Sequence, residues 1–281
     1  MDAAAPSVQA ARALLAFWRS AGVDMEEAEA VYVAAPAAPS SPGRGRNASP
    51  SAAPSRQASA KPAKPSGRSP DSSVENARAL SLAADSVPAL RAAIAGFEGC
   101  ALKATARNTV FSDGQDNAPV LIIGEAPGRD EDEQGKPFVG RSGQLLDRML
   151  AHVGLDRKTN VLISNTIFWR PPGNRDPTQG EIIACLPFVE RLIELTNPKL
   201  LILTGKAAAQ TLLKREDGVM KLRGRRLLYN REGLAMPINT MVMLHPAYLL
   251  RQPQQKRLAW EDLLLAQTWL AELGLKLSRQ P

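Results

Sequence analysis

The sequence predicts a three-layer α/β/α protein built on a central, mainly parallel four-stranded sheet. Four short runs carry this expectation: Val120-Leu121-Ile122-Ile123, Val161-Leu162-Ile163, Leu200-Leu201-Ile202-Leu203 and Met241-Val242-Met243-Leu244. Each is apolar without interruption, as expected of strands buried on both faces of a parallel sheet. Helical segments alternate with them: Ser142 to His152, Thr178 to Leu195, Lys206 to Lys214 and Leu258 to Leu273. Strand–helix alternation defines the class. Ahead of the first run, Ser86 is placed to cap a helix passing through Leu90 and Ile94 to Phe97.

The chain has 281 residues, enough for one sizeable domain with extensions. Hydrophobic residues make up 44%, which excludes a wholly disordered chain. Three regions are expected. Residues 1–33 contain a helical pattern around Leu14, Leu15, Phe17 and Trp18. Residues 34–73 are rich in Ala, Pro, Ser and Gly, carry Arg44, Arg46, Arg56, Lys61, Lys64 and Arg68, and hold no acid until Asp71. Such a segment lacks the apolar surface to offset the entropy of ordering, so it reads as a disordered basic linker. Residues 74–281 form the α/β domain.

The net charge of +7 favours a polyanionic partner such as nucleic acid, and equally fits a basic solvated surface. Two cysteines, Cys100 and Cys185, argue against a disulfide scaffold and for a reducing, cytoplasmic setting. No apolar run approaches the ~20 residues that span a bilayer, so no membrane is expected. The acidic N-terminus (Asp2, Glu26, Glu27, Glu29) is unlike a signal peptide.

In an open α/β sheet the ligand crevice lies beyond the carboxyl ends of the strands. The residues following the four runs are Gly124-Glu125-Ala126-Pro127-Gly128, Ser164-Asn165, Thr204-Gly205-Lys206 and His245-Pro246-Ala247. A carboxylate, an amide and an imidazole thus meet on one rim, the makings of a pocket for a small polar ring. Each also has a plainer reading. Glu125 fits a helix N-terminal acid, Asn165 a self-satisfying turn residue, and His245 a hydrogen-bonded loop residue ahead of a proline. His152, within a helical pattern, reads as structural. Phe138, between glycines in Gln134-Gly-Lys-Pro-Phe-Val-Gly140, fits either core or a stacking face for a base. The turn-rich Arg170-Pro-Pro-Gly-Asn-Arg-Asp176 suits phosphate contact or a solvated crossover.

Taken in order, these stretches resemble the type-4, iron–sulfur uracil-DNA glycosylases over roughly residues 90 to 273. The matching motifs include Gly124-Glu-Ala-Pro-Gly128, Glu131-Asp132, Gly135-Lys-Pro-Phe-Val-Gly140 with Gly143, Thr204-Gly-Lys-Ala-Ala208 and His245-Pro-Ala-Tyr-Leu-Leu-Arg251. The resemblance implies that family's fold and the activity of a monofunctional N-glycosidic hydrolase. It implies that Glu125 positions the attacking water and that His245 stabilises charge on the departing base. It implies that Gly124, Ala126, Phe138 and Asn165 form the uracil pocket, Phe138 stacking on the ring and Asn165 reading its edge. Arg170, Arg175, Tyr248, Leu249 and Arg251 are the implied DNA contacts, the last three in a loop that fills the hole left by the extruded base. The implied partner is uracil-containing DNA, met by a monomer.

Two departures qualify the likeness. Ala126 stands where other branches of the superfamily carry a catalytic Asp. Of the four cluster cysteines only Cys100 and Cys185 remain, with Phe97 and Trp169 in place of the others. Two thiolates cannot ligate a four-cysteine cubane, so no 4Fe-4S cluster and no other cofactor is expected, and the two aromatics are expected to fill its place by packing. The segment from Arg129 to Gly135 continues directly into Lys136-Pro137 without the histidine-bearing insertion of covalent uracil-DNA binders. Two alternatives stay open: a non-catalytic binder of uracil-containing or single-stranded DNA, and a glycosylase for another deaminated base.

Overall fold

The computed structural model describes residues 70–275 and residue 277. The expected N-terminal helix and most of the basic linker lie outside these residues. The first described helix, α1 (Pro70–Ala83), begins ahead of the boundary expected at residue 74. It is followed by α2 (Val87–Gly96), whose first turn is capped as expected: the Ala89 amide donates to Ser86 Oγ at 3.4 Å.

The four apolar runs form the inner strands: β2 (Val120–Gly124), β3 (Val161–Asn165), β4 (Leu200–Thr204) and β6 (Ile238–Met243). They pair in parallel as β3-β2-β4-β6. Two strands of three residues extend this core, β1 (Ser112–Gly114) beside β3 and β5 (Leu227–Tyr229) beside β6, both antiparallel. The sheet therefore has six strands in the order β1-β3-β2-β4-β6-β5, with the four expected strands as its parallel centre. The short additions went unread because Ser112-Asp-Gly114 is polar and Leu227–Tyr229 is brief.

Strand alternation divides the apolar side chains between the two faces. Leu121, Ile123, Leu201, Leu203 and Val242 point into one core layer, which includes Ala77 of α1, Leu90 and Ile94 of α2, and Phe188, Val189 and Leu192 of α5 (Gln179–Thr196). Val120, Ile122, Ile202, Met241 and Met243 point into the other, against α4 (Arg141–Ala151) and α9 (Lys256–Glu272). Between these come α3 (Arg129–Gln134), α6 (Lys206–Leu213), α7 (Val219–Leu222) and α8 (Pro246–Arg251). With helices on both faces the three expected layers are present. From β2 the chain passes to β3 on one side and then to β4 on the other, so the carboxyl end of β2 lies at the topological switch point, where such sheets bind ligands.

Candidate active site

The parallel register sets Gly124, the last residue of β2, opposite Asn165, the last of β3. The ladder continues one step further: the Thr166 and Ile167 amides donate to the Gly124 and Glu125 carbonyls, each at 3.0 Å. Thr166 Oγ1 also donates to the Glu125 carbonyl at 2.7 Å. Glu125 is thereby fixed by its backbone. Burial, followed by the nearby Asp176 carboxylate, raises the pKa of its carboxyl group. It belongs to the strand-to-helix turn and lies ahead of α3, so the helix N-terminal alternative does not apply.

Asn165 is 2% exposed, and its Oδ1 is buried with no hydrogen-bond partner. Gly124 keeps the space in front of it open. A Cβ at Gly124 would come to 2.4 Å from Asn165 Oδ1 and 2.5 Å from Phe138 Cζ. A buried carbonyl without a donor costs about 1–3 kcal/mol, so this oxygen is an acceptor still open at the cavity wall. The turn reading of Asn165 fails because the residue closes a strand.

Phe138 is buried yet borders the cavity, so it serves as both core and wall. Its backbone takes φ 54°, a left-handed conformation that an aromatic residue seldom adopts. Its ring lies 5.6 Å from that of His245, tilted by 32°. The loop that carries it is tied to α3 by Glu131, whose carboxylate accepts from the Gly128, Val139 and Gly140 amides at 3.1, 3.0 and 2.9 Å.

His245 caps α8: its Nδ1 accepts from the Ala247 amide at 3.2 Å. Burial, and then the Arg251 guanidinium, push its pKa down to about 4. The ring is neutral at pH 7, and with Nδ1 acting as acceptor its proton resides on Nε2. Glu125, Ala126, Phe138, Asn165, His245 and Arg251 share one cavity of about 430 Å³. Gly124 lies beneath it. An adjoining cavity of about 640 Å³ between α5 and α6 includes Glu125 but none of Phe138, Asn165 or His245.

The outer residues divide. Arg175 borders the cavity and makes a two-pronged ion pair with Glu181, at 2.9 and 2.6 Å. Arg170 Nε donates to Asn174 Oδ1 at 2.7 Å, bracing the turn between them. Tyr248 is partly buried against the second core layer. Leu249, expected among the DNA contacts, is 0% exposed inside that layer and presents no surface to a ligand in this structure. The segment from Tyr248 to Arg251 belongs to a helix begun by Pro246, not to a loop, and the helix turns Leu249 inward. His152 is structural as expected, its ring edge-on to Trp260 with centroids 6.1 Å apart.

Cys100 and Cys185 are free, buried thiols. The hydrogen bond between them, together with burial, holds the Cys185 thiol well above its ordinary range. Phe97 and Trp169 are 0% and 1% exposed, their ring centroids 6.4 Å apart, and Phe97 packs edge-on to Phe188 at 5.0 Å. Trp169 Nε1 donates to Thr109 Oγ1 at 3.1 Å. Each buried ring contributes about 1.5–3 kcal/mol or more to the core. Two thiols and two packed rings do not supply the four thiolates of a cubane. Among the described residues no group of three or more His, Cys, Asp or Glu side chains is arranged to hold a metal ion, and no helix is long and apolar enough to cross a membrane.

A doubly flanked sheet with a parallel centre, carrying an acid, an amide, an imidazole and an aromatic ring at its switch point, defines an α/β protein with a polar pocket beyond its strand ends. Residues 111–265 match the sequence model of the uracil DNA glycosylase superfamily. The chain is 38% identical over 159 residues to the type-4 uracil-DNA glycosylase of Archaeoglobus fulgidus, covering 55% of this chain and 78% of that protein. It is 37% identical over 168 residues to the type-4 enzyme of Saccharolobus solfataricus, covering 58% and 76%. For the Thermotoga maritima enzyme the identity is 33% over 178 residues, covering 62% and 90%. The chain belongs to the uracil DNA glycosylase superfamily.

Proposed function

We propose that the chain is a uracil-DNA glycosylase of base excision repair, hydrolysing the N-glycosidic bond of deoxyuridine to release uracil and leave an abasic site. The observation that carries this reading is the buried, unpartnered Oδ1 of Asn165, facing the Phe138 ring across the space left by Gly124. Uracil stacked on Phe138 offers its N3–H to that oxygen and its O4 to the Asn165 amide. Cytosine has no hydrogen on N3 and a donor at position 4, so it meets both groups wrongly, at a cost of about 1–3 kcal/mol for each mismatch.

Uracil in a duplex is out of reach of such a pocket. Extruding its nucleotide costs a few kcal/mol, offset by contacts to the backbone from Arg170, Arg175 and Arg251. As the C1′–N1 bond breaks, negative charge grows on the base and positive charge on the sugar. His245 Nε2–H and the backbone amide region at Gly124 stabilise the departing anion without needing a protonated imidazole. The Glu125 carboxylate orients the water that adds to C1′, accepts its proton and offsets the cationic sugar. Ala126 offers no second acid, so stabilisation of the leaving group rests on His245. No step requires an iron–sulfur cluster, in keeping with the packed rings of Phe97 and Trp169. The chain acts on DNA as a monomer in a reducing, cytoplasmic compartment, through the domain of residues 74–281.

The test is incubation of the pure chain with a uracil-containing oligonucleotide, then alkali and gel electrophoresis. Cleavage at the uracil position is expected. A shifted but uncleaved oligonucleotide would replace hydrolysis with binding alone.

A further inference from the structure

Arg157 lies between α4 and β3, away from the cavity, with a side chain 14% exposed. Its Nη1 donates to Asp113 Oδ2 at 2.9 Å and to the Pro137 carbonyl at 3.1 Å. Its Nη2 donates to the Phe138 carbonyl at 2.9 Å and to Asp147 Oδ1 at 2.8 Å, and its Nε to the same oxygen at 3.0 Å. A guanidinium has five N–H donors, and these five bonds match them all. A lysine ammonium, with three donors and no planar fork, cannot reproduce the set.

Those bonds converge on the backbone that holds Phe138 in its left-handed conformation. Such a conformation in an aromatic residue persists only where the surroundings over-determine it. On its other side the Phe138 carbonyl is pressed against the first turn of α4, where a Cβ on Gly143 would fall 1.8 Å from the oxygen. Asp113 comes from edge strand β1 and Asp147 from α4, so one cation joins an edge strand, a helix and the Phe138 loop.

We propose that Arg157, held by Asp113 and Asp147, is a positioning residue that sets the Phe138 ring against the extruded base. The proposal rests on the glycosylase reading. Its role is indirect: Arg157 touches the backbone that aims the ring, and reaches neither base nor sugar.

The test is a double-mutant cycle on single-turnover uracil release, with Arg157→Met, Phe138→Ala and the pair, each checked by thermal melting. Arg157→Met is expected to slow release about 100-fold when Phe138 is present, since misplacement by about 1 Å has that scale of effect. In the Phe138→Ala background it is expected to change the rate by less than about threefold, because groups acting through one another are not additive. Asp147→Asn, with its partly exposed side chain, repeats the cycle with less risk to folding and carries the test if Arg157→Met does not fold. Equal losses in both backgrounds overturn the proposal, as do wild-type rates for Phe138→Ala or for a folded Arg157→Met. Absence of release by the wild-type chain would defeat the glycosylase reading itself, whereas additivity in an active enzyme defeats only the clamp.

Discussion

Gly124 sits directly across the β2–β3 pair from Asn165, and its missing side chain is what leaves the Asn165 carbonyl open to the Phe138 ring. The pocket owes its depth to an absent methyl group as much as to the groups that line it.

Gly124→Ala is therefore expected to obstruct the site. The new Cβ would press on Asn165 Oδ1 and the Phe138 ring at about 2.5 Å. Relief by shifting either group is expected to cost about 1–3 kcal/mol of stability and to lower the rate of uracil release about 100-fold. Rate assays and chemical denaturation check the two numbers separately.

His245 gives a pH dependence with a definite sign. Its folded pKa of about 4 lies below the ordinary value of 6.5, so between these values the unfolded chain binds more protons. The neutral, folded form holds its full stability above about pH 6.5 and loses it as pH falls toward 4, by about 3 kcal/mol in all. His245→Gln is expected to remove that part of the acid sensitivity, read as the difference between two stability–pH curves. Release of uracil by the wild type should also show no His245 titration between about pH 5 and 8.

Leu249→Ala is expected to act through the fold. A fully buried leucine costs about 2–5 kcal/mol when truncated, so the melting temperature should fall. DNA affinity measured below the transition should stay near wild type. Arg251→Ala is expected to do the reverse, weakening DNA binding with a smaller salt dependence.

The thiols supply a further check. Replacing Cys100 and Cys185 together by Ala is expected to leave the rate of uracil release within about threefold of wild type, with a loss of about 1–3 kcal/mol in stability from truncated core groups. The wild-type preparation is expected to lack visible iron–sulfur absorption. A brown sample whose activity vanishes with the double substitution would contradict this.

The parallel centre of the sheet was legible because strands buried on both faces must be apolar throughout, as Val120–Ile123 and Leu200–Leu203 are. The site was legible in part because chemistry-bearing residues follow those strands directly. Edge strands lack that signature, and β1 is polar because one side of it is open to water. The burial of Leu249 was not legible because a motif fixes the order of residues, whereas the helical turn after Pro246 fixes which of them faces inward. Arg157 gave no signal: its partners Asp113, Pro137, Phe138 and Asp147 are scattered along the chain, and in sequence it is one more charge in a loop. Asp176 was noted only as the end of a basic turn, and its effect on Glu125 appears once the loop folds back over the cavity.

The most direct measurement is a crystal structure of the chain bound to DNA carrying a non-hydrolysable 2′-fluoro deoxyuridine. The expected density shows the base extruded against Phe138, with its N3 within hydrogen-bond distance of Asn165 Oδ1 and its O2 facing His245 Nε2. A base left stacked in the helix, or seated in the cavity between α5 and α6, would contradict the account.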